Sequence, residues 1–229
     1  MSTLPLQTNH TSYEAYLFDL DGTLLNTTPD IAYAVNVMRA SEGLPPLTLP
    51  EVERGVGRGA TELILATLPS HLHGRVQELR QVFVRAYQDH LCVDTHPFEG
   101  AEAFLRSLAL LNKRLALVTN KPERLAVPLL EELGWSELFE VKLYGDSLPE
   151  RKPSPLPVVE AASRLGVQPD QCVFVGDTEV DAQAARAADV HFWAVGWSRV
   201  AESVRQGQWG PSAEVVSNYT LIHGDLDIS

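Results

Sequence analysis

Asp19-Leu20-Asp21-Gly22-Thr23-Leu24 follows directly on the apolar run Tyr16-Leu17-Phe18, so two carboxylates stand two positions apart where a strand ends. Side chains at that spacing share one face of a strand, and the carboxyl edge of a buried strand is where open α/β sheets bind ligands. An Asx-Gly turn accounts for Asp21-Gly22, but it leaves Asp19 as an unexplained cost at the end of an apolar run. The pair suits a nucleophile with a neighbouring acid or base.

Outward from this stretch, the chain beyond Phe98 alternates short apolar runs with helix-patterned ones. Residues 115–118, 141–144, 172–175 and 192–195 read as strands. Residues 123–133 closed by Gly134, 158–165 closed by Gly166, and 181–188 read as helices. This βαβ rhythm predicts an α/β fold, a Rossmann-like parallel sheet core with helices on both faces and right-handed crossovers. Between 29 and 96 the rhythm breaks: Ile31, Val35 and Met38, then Leu63 and Ala66, then Val76, Leu79, Phe83 and Tyr87 recur at helical spacing with no strand between them. Thr28-Pro29-Asp30 reads as a helix start and Thr95-His96-Pro97 as an extended exit. The expected organisation is a catalytic core of residues 1–28 and 97–229, with 1–13 a loose tail, interrupted at 29–96 by an inserted α-helical cap domain.

Composition narrows the partners. The chain has 229 residues, 45% hydrophobic, and a net charge of −12 with no run of lysine or arginine, which argues against nucleic acid or an anionic membrane. Cys92 and Cys172 lie far apart without metal-ligand spacing, as expected of reduced thiols in a cytoplasmic protein. No apolar leader or membrane-length apolar run is present. His71, His73, His90 and His96 lack metal-like pairing with carboxylates and read as solvated or packed. Trp193 and Trp197 read as packing of the sheet edge.

Three further signals fall at ends of expected strands. Thr119-Asn120-Lys121 offers a hydroxyl and a backbone N–H to an oxyanion, or a turn before Pro122. Arg151-Lys152-Pro153 offers a directed lysine, or a solvated basic loop. Gly176-Asp177-Thr178-Glu179-Val180-Asp181 puts one aspartate at a strand end and another on the first turn of a helix, where a dipole-matched cap also explains it. If Asp19, Asp21, Asp177 and Asp181 share one crevice with Lys152 as the only cation, their repulsion would raise their pKa values and repel a phosphate. A divalent cation removes the contradiction, and oxygen-only donors favour Mg2+ over zinc.

These pieces together resemble the haloacid dehalogenase superfamily, and within it the phosphoglycolate-phosphatase-like enzymes with an α-helical cap. The resemblance implies that Asp19 is a nucleophile forming an aspartyl-phosphate and Asp21 the acid/base. It implies that Thr119, Asn120 and Lys152 hold the phosphoryl group. It also implies that Asp19, Asp177 and the Asp21 backbone carbonyl bind Mg2+, with Asp181 in or near the outer shell. Asp21 favours phosphate esters, because the dehalogenase and phosphonate-cleaving branches do not keep an aspartate there. Asp189 stands where relatives often carry a helix-stopping glycine, a position Asp tolerates.

In Gly55-Val56-Gly57-Arg58-Gly59-Ala60-Thr61, which resembles the family's active-site-facing cap loop, Arg58 could bind a substrate carboxylate, or be a solvated arginine on a flexible loop. The expected function is a cytoplasmic, magnesium-dependent phosphatase acting on a small phosphorylated metabolite, with 2-phosphoglycolate as the best single candidate. A β-phosphoglucomutase-like phosphosugar mutase and a non-catalytic phosphometabolite-binding module are the alternatives. The expected state is a monomer or homodimer.

Overall fold

Both faces of the strand that carries Asp19 are covered. Tyr16 and Phe18 point into one apolar cluster and Ala15 and Leu17 into another, all fully buried, as a central strand of a parallel sheet requires. The computed structural model describes residues 13–220. Strand β1 (Ala15–Phe18) leads through β2 (Leu25–Asn26) into α1 (Thr28–Ser41), α2 (Leu49–Glu53), α3 (Ala60–Thr67) and α4 (Val76–Asp89), and the chain returns through β3 (His96–Pro97). Then follow α5 (Ala101–Leu110), β4 (Arg114–Val118), α6 (Glu123–Glu132), β5 (Val141–Leu143), α7 (Leu156–Leu165) and β6 (Cys172–Gly176). The chain continues through α8 (Glu179–Ala187), β7 (His191–Val195), α9 (Ala201–Arg205) and β8 (Ala213–Val216).

Six parallel strands lie in the order β5-β4-β1-β6-β7-β8. The order reverses about β1, so its carboxyl end opens a crevice between those of β4 and β6. Register fixes the level: Phe18 pairs with Leu117 on one side and Val175 on the other. Helices α5 and α6 cover one face through Phe104, Ala126 and Leu130; α7, α8 and α9 cover the other through Val158, Ala184 and Val204. The expected sheet is therefore present. It gains α9 and β8 beyond the strands and helices that the sequence pattern marks.

Helices α1–α4 pack on one another through Ile31, Met38, Leu63, Phe83 and Tyr87, forming an apolar cluster of their own that Leu125 of α6 joins. Both chain crossings to this helical layer are tied by the antiparallel pairing of β2 with β3. Asp30 anchors the return crossing. Its carboxylate accepts from the backbone N–H groups of Val93, Asp94 and Thr95 at 2.9–3.1 Å and from Thr95 Oγ1 at 2.7 Å.

Of the expected loose tail, residues 1–12 lie outside the described ones. Tyr13 instead packs edge-on against Trp193 at 5.6 Å between ring centres. Trp193 is core, but Trp197 does not pair with it: it stacks on Phe98 at 4.5 Å and donates to the Gly22 carbonyl at 2.9 Å. Asp189 adopts the left-handed conformation expected of it, φ 54°. Among the described residues, no helix is long and apolar enough to cross a membrane.

Candidate active site

The carboxyl ends of three adjacent strands deliver the side chains that the sequence singled out. Asp19 leaves β1 with its N–H on the Val175 carbonyl at 3.0 Å, Thr119 leaves β4 with its N–H on the Leu143 carbonyl at 2.9 Å, and Asp177 follows β6. Asp19, Asp21, Thr119, Asn120, Lys152, Asp177 and Asp181 are all buried. Lys152 comes from the loop after β5, and its ammonium lies 2.9 Å from Asp19 Oδ1 and 2.7 Å from Asp181 Oδ1. Asn120 fastens that loop: its Nδ2 donates to the Lys152 carbonyl at 2.9 Å and to the Gly57 carbonyl of the helical layer at 3.0 Å.

Asp181 serves both readings made of it. Its Oδ2 accepts from the Thr178 N–H at 3.0 Å and from Thr178 Oγ1 at 2.6 Å, closing a capping box on α8. Its other oxygen holds Lys152. Asp177 is less well served: Thr23 Oγ1 donates to its Oδ1 at 2.8 Å. Gly22, at φ 84°, brings backbone so close that a Cβ there would sit 2.4 Å from Asp177 Oδ2, and a Cβ on Gly176 would sit 2.6 Å from Asp181. Only glycine allows these approaches.

The electrostatics of this corner are unbalanced. Asp19, Asp177 and Asp181 offer carboxylate oxygens within 4.8 Å of one another, and Lys152 is the one ammonium among them, so two negative charges remain uncompensated. Burial pushes the Asp19 carboxyl up to about 6, with Lys152 opposing and Asp181 adding to the rise. Asp177 is pushed well above the usual carboxylate range by burial and then by Asp181 and Asp19. Burial opposes the charge of Lys152, but Asp181 and Asp19 outweigh it and raise its pKa. Asp19 Oδ1 is buried and makes no hydrogen bond of normal geometry despite its ion pair. A divalent cation would cancel the excess, and a set of oxygen donors alone fits a hard one. These residues therefore fit a metal of that class.

Asp21 is not part of that excess, which corrects the sequence expectation of Lys152 as the only cation. Lys121 Nζ donates to Asp21 Oδ1 at 2.9 Å, and Thr27 Oγ1 donates to the same oxygen at 2.6 Å. Lys121 is 6% exposed and its ammonium lies 4.5 Å from the Tyr87 ring centre. Burial disfavours its charge, yet Asp21 and then Tyr87 carry its pKa upward. The residue stood within Thr119-Asn120-Lys121, but a contact spanning 100 positions leaves no local signal.

Asp19, Asp21, Thr119, Asn120 and Lys121 line one cavity of about 40 Å³ between the sheet edge and the helical layer. Its other wall, from the helical layer, is apolar apart from Tyr87, with Ile31, Val56, Leu63 and Phe83. Arg58 is exposed and faces a different hollow beside Arg54 and Arg199. The cation expected to meet a substrate carboxylate is thus outside the cavity, because the glycine-rich turn directs Gly57 and Gly59 inward instead. His90 also departs from expectation: its Nε2 lies 3.6 Å from Asp30 and 3.8 Å from Asp94. Those three could hold a metal by spacing, but Asp30 is already committed to the linker backbone.

Known proteins resemble this chain. The model of the haloacid dehalogenase-like hydrolase family matches residues 13–189. A phosphoglycolate phosphatase of Xylella fastidiosa is 37% identical over 210 residues, covering 92% of both chains. An N-acetylmuramic acid 6-phosphate phosphatase of Pseudomonas aeruginosa is 34% identical, covering 90% of this chain and 91% of the relative. The solved structure of a predicted phosphoglycolate phosphatase from Haemophilus somnus superposes with a TM-score of 0.77 at 30% identity, over 82% of this chain and 87% of that one. With a match over residues 13–189, which takes in β1–β6, the helical layer and every carboxylate at the β1–β6 edge, the chain belongs to the haloacid dehalogenase-like hydrolases.

Proposed function

We propose that this phosphatase hydrolyses a small phosphorylated metabolite, 2-phosphoglycolate foremost, with Asp19 as nucleophile and residues 29–96, which hold nearly all of α1 and the whole of α2–α4, as a cap over the core of residues 1–28 and 97–229. The observation that carries the reading is the division of labour between the two aspartates. Asp19 sits in the uncompensated corner with Lys152, whereas Asp21 opens on the same cavity with its own cation and hydroxyl partners.

In the proposed reaction a carboxylate oxygen of Asp19 forms a bond to phosphorus as the ester P–O bond breaks, and Asp21 gives its proton to the departing alkoxide oxygen. Asp21 then takes a proton from water, whose oxygen displaces Asp19 from phosphorus and frees inorganic phosphate. Thr119 Oγ1, the Asn120 N–H and Lys152 hold the phosphoryl oxygens, and Lys152 keeps Asp19 oriented. Asp19, Asp177 and the Asp21 carbonyl would hold Mg2+, with Asp181 outside them; bound there, the ion supplies charge neutralisation for the incoming phosphate.

The relatives named as phosphoglycolate phosphatases support the substrate, and so does cavity size. A space of about 40 Å³ holds a few water-sized groups, which suits a two-carbon leaving group better than a sugar. The test is phosphate release from 2-phosphoglycolate, N-acetylmuramic acid 6-phosphate, sugar phosphates, nucleotides and pyrophosphate, with Mg2+ and with chelator. Turnover of 2-phosphoglycolate above the rest, lost with chelator, is expected. Turnover only in the presence of a sugar bisphosphate would favour the mutase alternative, and magnesium-independent turnover would contradict the metal assignment.

A further inference from the structure

Resting on that phosphatase reading, we infer that Lys121 and Tyr87 form the receptor for a carboxylate on the leaving group, making them the specificity-determining residues of the cavity.

Three observations converge. First, among the charged side chains lining the cavity, Lys121 is the cation; Lys152 is turned to Asp19 and Asp181 behind it, and Arg58 faces another hollow. An ammonium has three donors, and its bond to Asp21 uses one. Second, Tyr87 lines the same cavity, and its buried Oη makes no hydrogen bond of normal geometry, with only the Lys121 ammonium beside it. A buried hydroxyl without a partner is costly, and a ligand oxygen in the cavity would satisfy it. Third, the rest of the helical wall is apolar, so a charged leaving group finds its counter-charge across from that wall, at Lys121.

Together they describe a slot closed by hydrocarbon and one phenol on the helical side and by one ammonium on the sheet side. A phosphorylated two- or three-carbon hydroxy acid fits this chemistry: its phosphoryl group lies toward Asp19, its short chain against Ile31 and Phe83, and its carboxylate on Lys121 Nζ and Tyr87 Oη. A neutral ester of the same length leaves the ammonium without a second anion. The helical layer supplies the phenol and the sheet edge supplies the ammonium, so the pair is complete only when the layer covers the edge.

The experiment compares kcat/KM for 2-phosphoglycolate with that for 2-hydroxyethyl phosphate, which replaces the carboxylate by a hydroxymethyl group. Lys121→Met is expected to slow both, because Asp21 loses a partner, but to lower the ratio between them by about 30- to 100-fold, as loss of a buried charge pair does. Lys121→Arg should restore part of the ratio. Tyr87→Phe keeps the Lys121–Asp21 pair and removes only the hydroxyl, so it guards against misfolding; the expected fall in the ratio is about 10-fold. Equal losses on both esters in Lys121→Met and Tyr87→Phe, or a ratio that falls in Arg58→Ala instead, would overturn the assignment.

A binding measurement separates this proposal from the phosphatase reading itself. In Asp19→Asn protein, calorimetric titration with 2-phosphoglycolate should weaken about 30-fold or more when Lys121→Met is added, whatever the turnover of the wild type. Equal affinity for the carboxylated and neutral esters in Asp19→Asn protein would sink the receptor even if the wild type proves to be a phosphatase.

Discussion

Asp19→Asn is expected to lower phosphate release by about 10⁴-fold or more, the scale seen when an attacking group is removed from a preorganised site. The substitution preserves volume and removes one charge, so packing at the end of β1 should survive. An amide oxygen does not displace an alkoxide from phosphorus, and neither Asp21 nor Asp177 is placed to substitute: the first is bonded to Lys121 and Thr27, the second to Thr23. The effect on stability runs opposite to that on activity. In metal-free protein, replacing Asp19 removes one of three crowded carboxylates and a group whose pKa burial already lifts to about 6. The thermal midpoint of Asp19→Asn in chelator should therefore equal or exceed that of the wild type. Turnover within 10-fold of wild type, or a large drop in midpoint, would contradict the proposed role.

Lys152→Met carries the other large effect. The residue is 2% exposed and its ammonium pairs with both Asp19 and Asp181, and stripping the cation from a buried pair costs about 3–5 kcal/mol. For a chain of this size that corresponds to a fall in midpoint of about 6–20 °C. Phosphate release should fall by about 10³-fold, since the role proposed for Lys152 is both to orient Asp19 and to offset the phosphoryl charge.

The pH dependence has a definite sign. A carboxyl with a folded pKa above its unfolded value binds protons more readily when folded, so stability is gained as pH falls and lost as pH rises through the folded pKa. Asp19 already titrates near 6 with Lys152 lowering it, and without Lys152 it rises further. Metal-free Lys152→Met should accordingly regain stability between pH 7 and pH 5, measured by chemical denaturation. A variant that is no less stable than wild type at pH 7, or that weakens toward pH 5, would show that the carboxylates do not crowd as described.

The sheet and its carboxylates were legible because their signals are local. Alternation in Tyr16-Leu17-Phe18 marks a strand buried on both faces, and Gly134 and Gly166 stop helices where left-handed residues, φ 66° and 69°, are needed. The capping box at Thr178 and Asp181 was readable from residues three positions apart. What was not legible depends on contacts between distant parts of the chain. Lys121 meets Asp21 only because β4 lies beside β1. Tyr87 reads as one more core position of α4 until the helical layer meets the sheet edge, where its side chain lines the cavity beside Lys121. Arg58 invited a functional reading through the glycines around it, yet those glycines admit backbone, not the guanidinium, to the site. Strands β2 and β3 span two residues each, below what any periodicity can report.

The central claim is that Asp19 is the group phosphorylated during turnover. The direct measurement is acid quenching of enzyme mixed with 2-phosphoglycolate and Mg2+, followed by mass analysis of the peptide containing Asp19. One phosphoryl group on Asp19 is expected, absent from Asp19→Asn and from chelator-treated enzyme. A phosphoryl group on any other residue, or active enzyme that never carries one on Asp19, would contradict it.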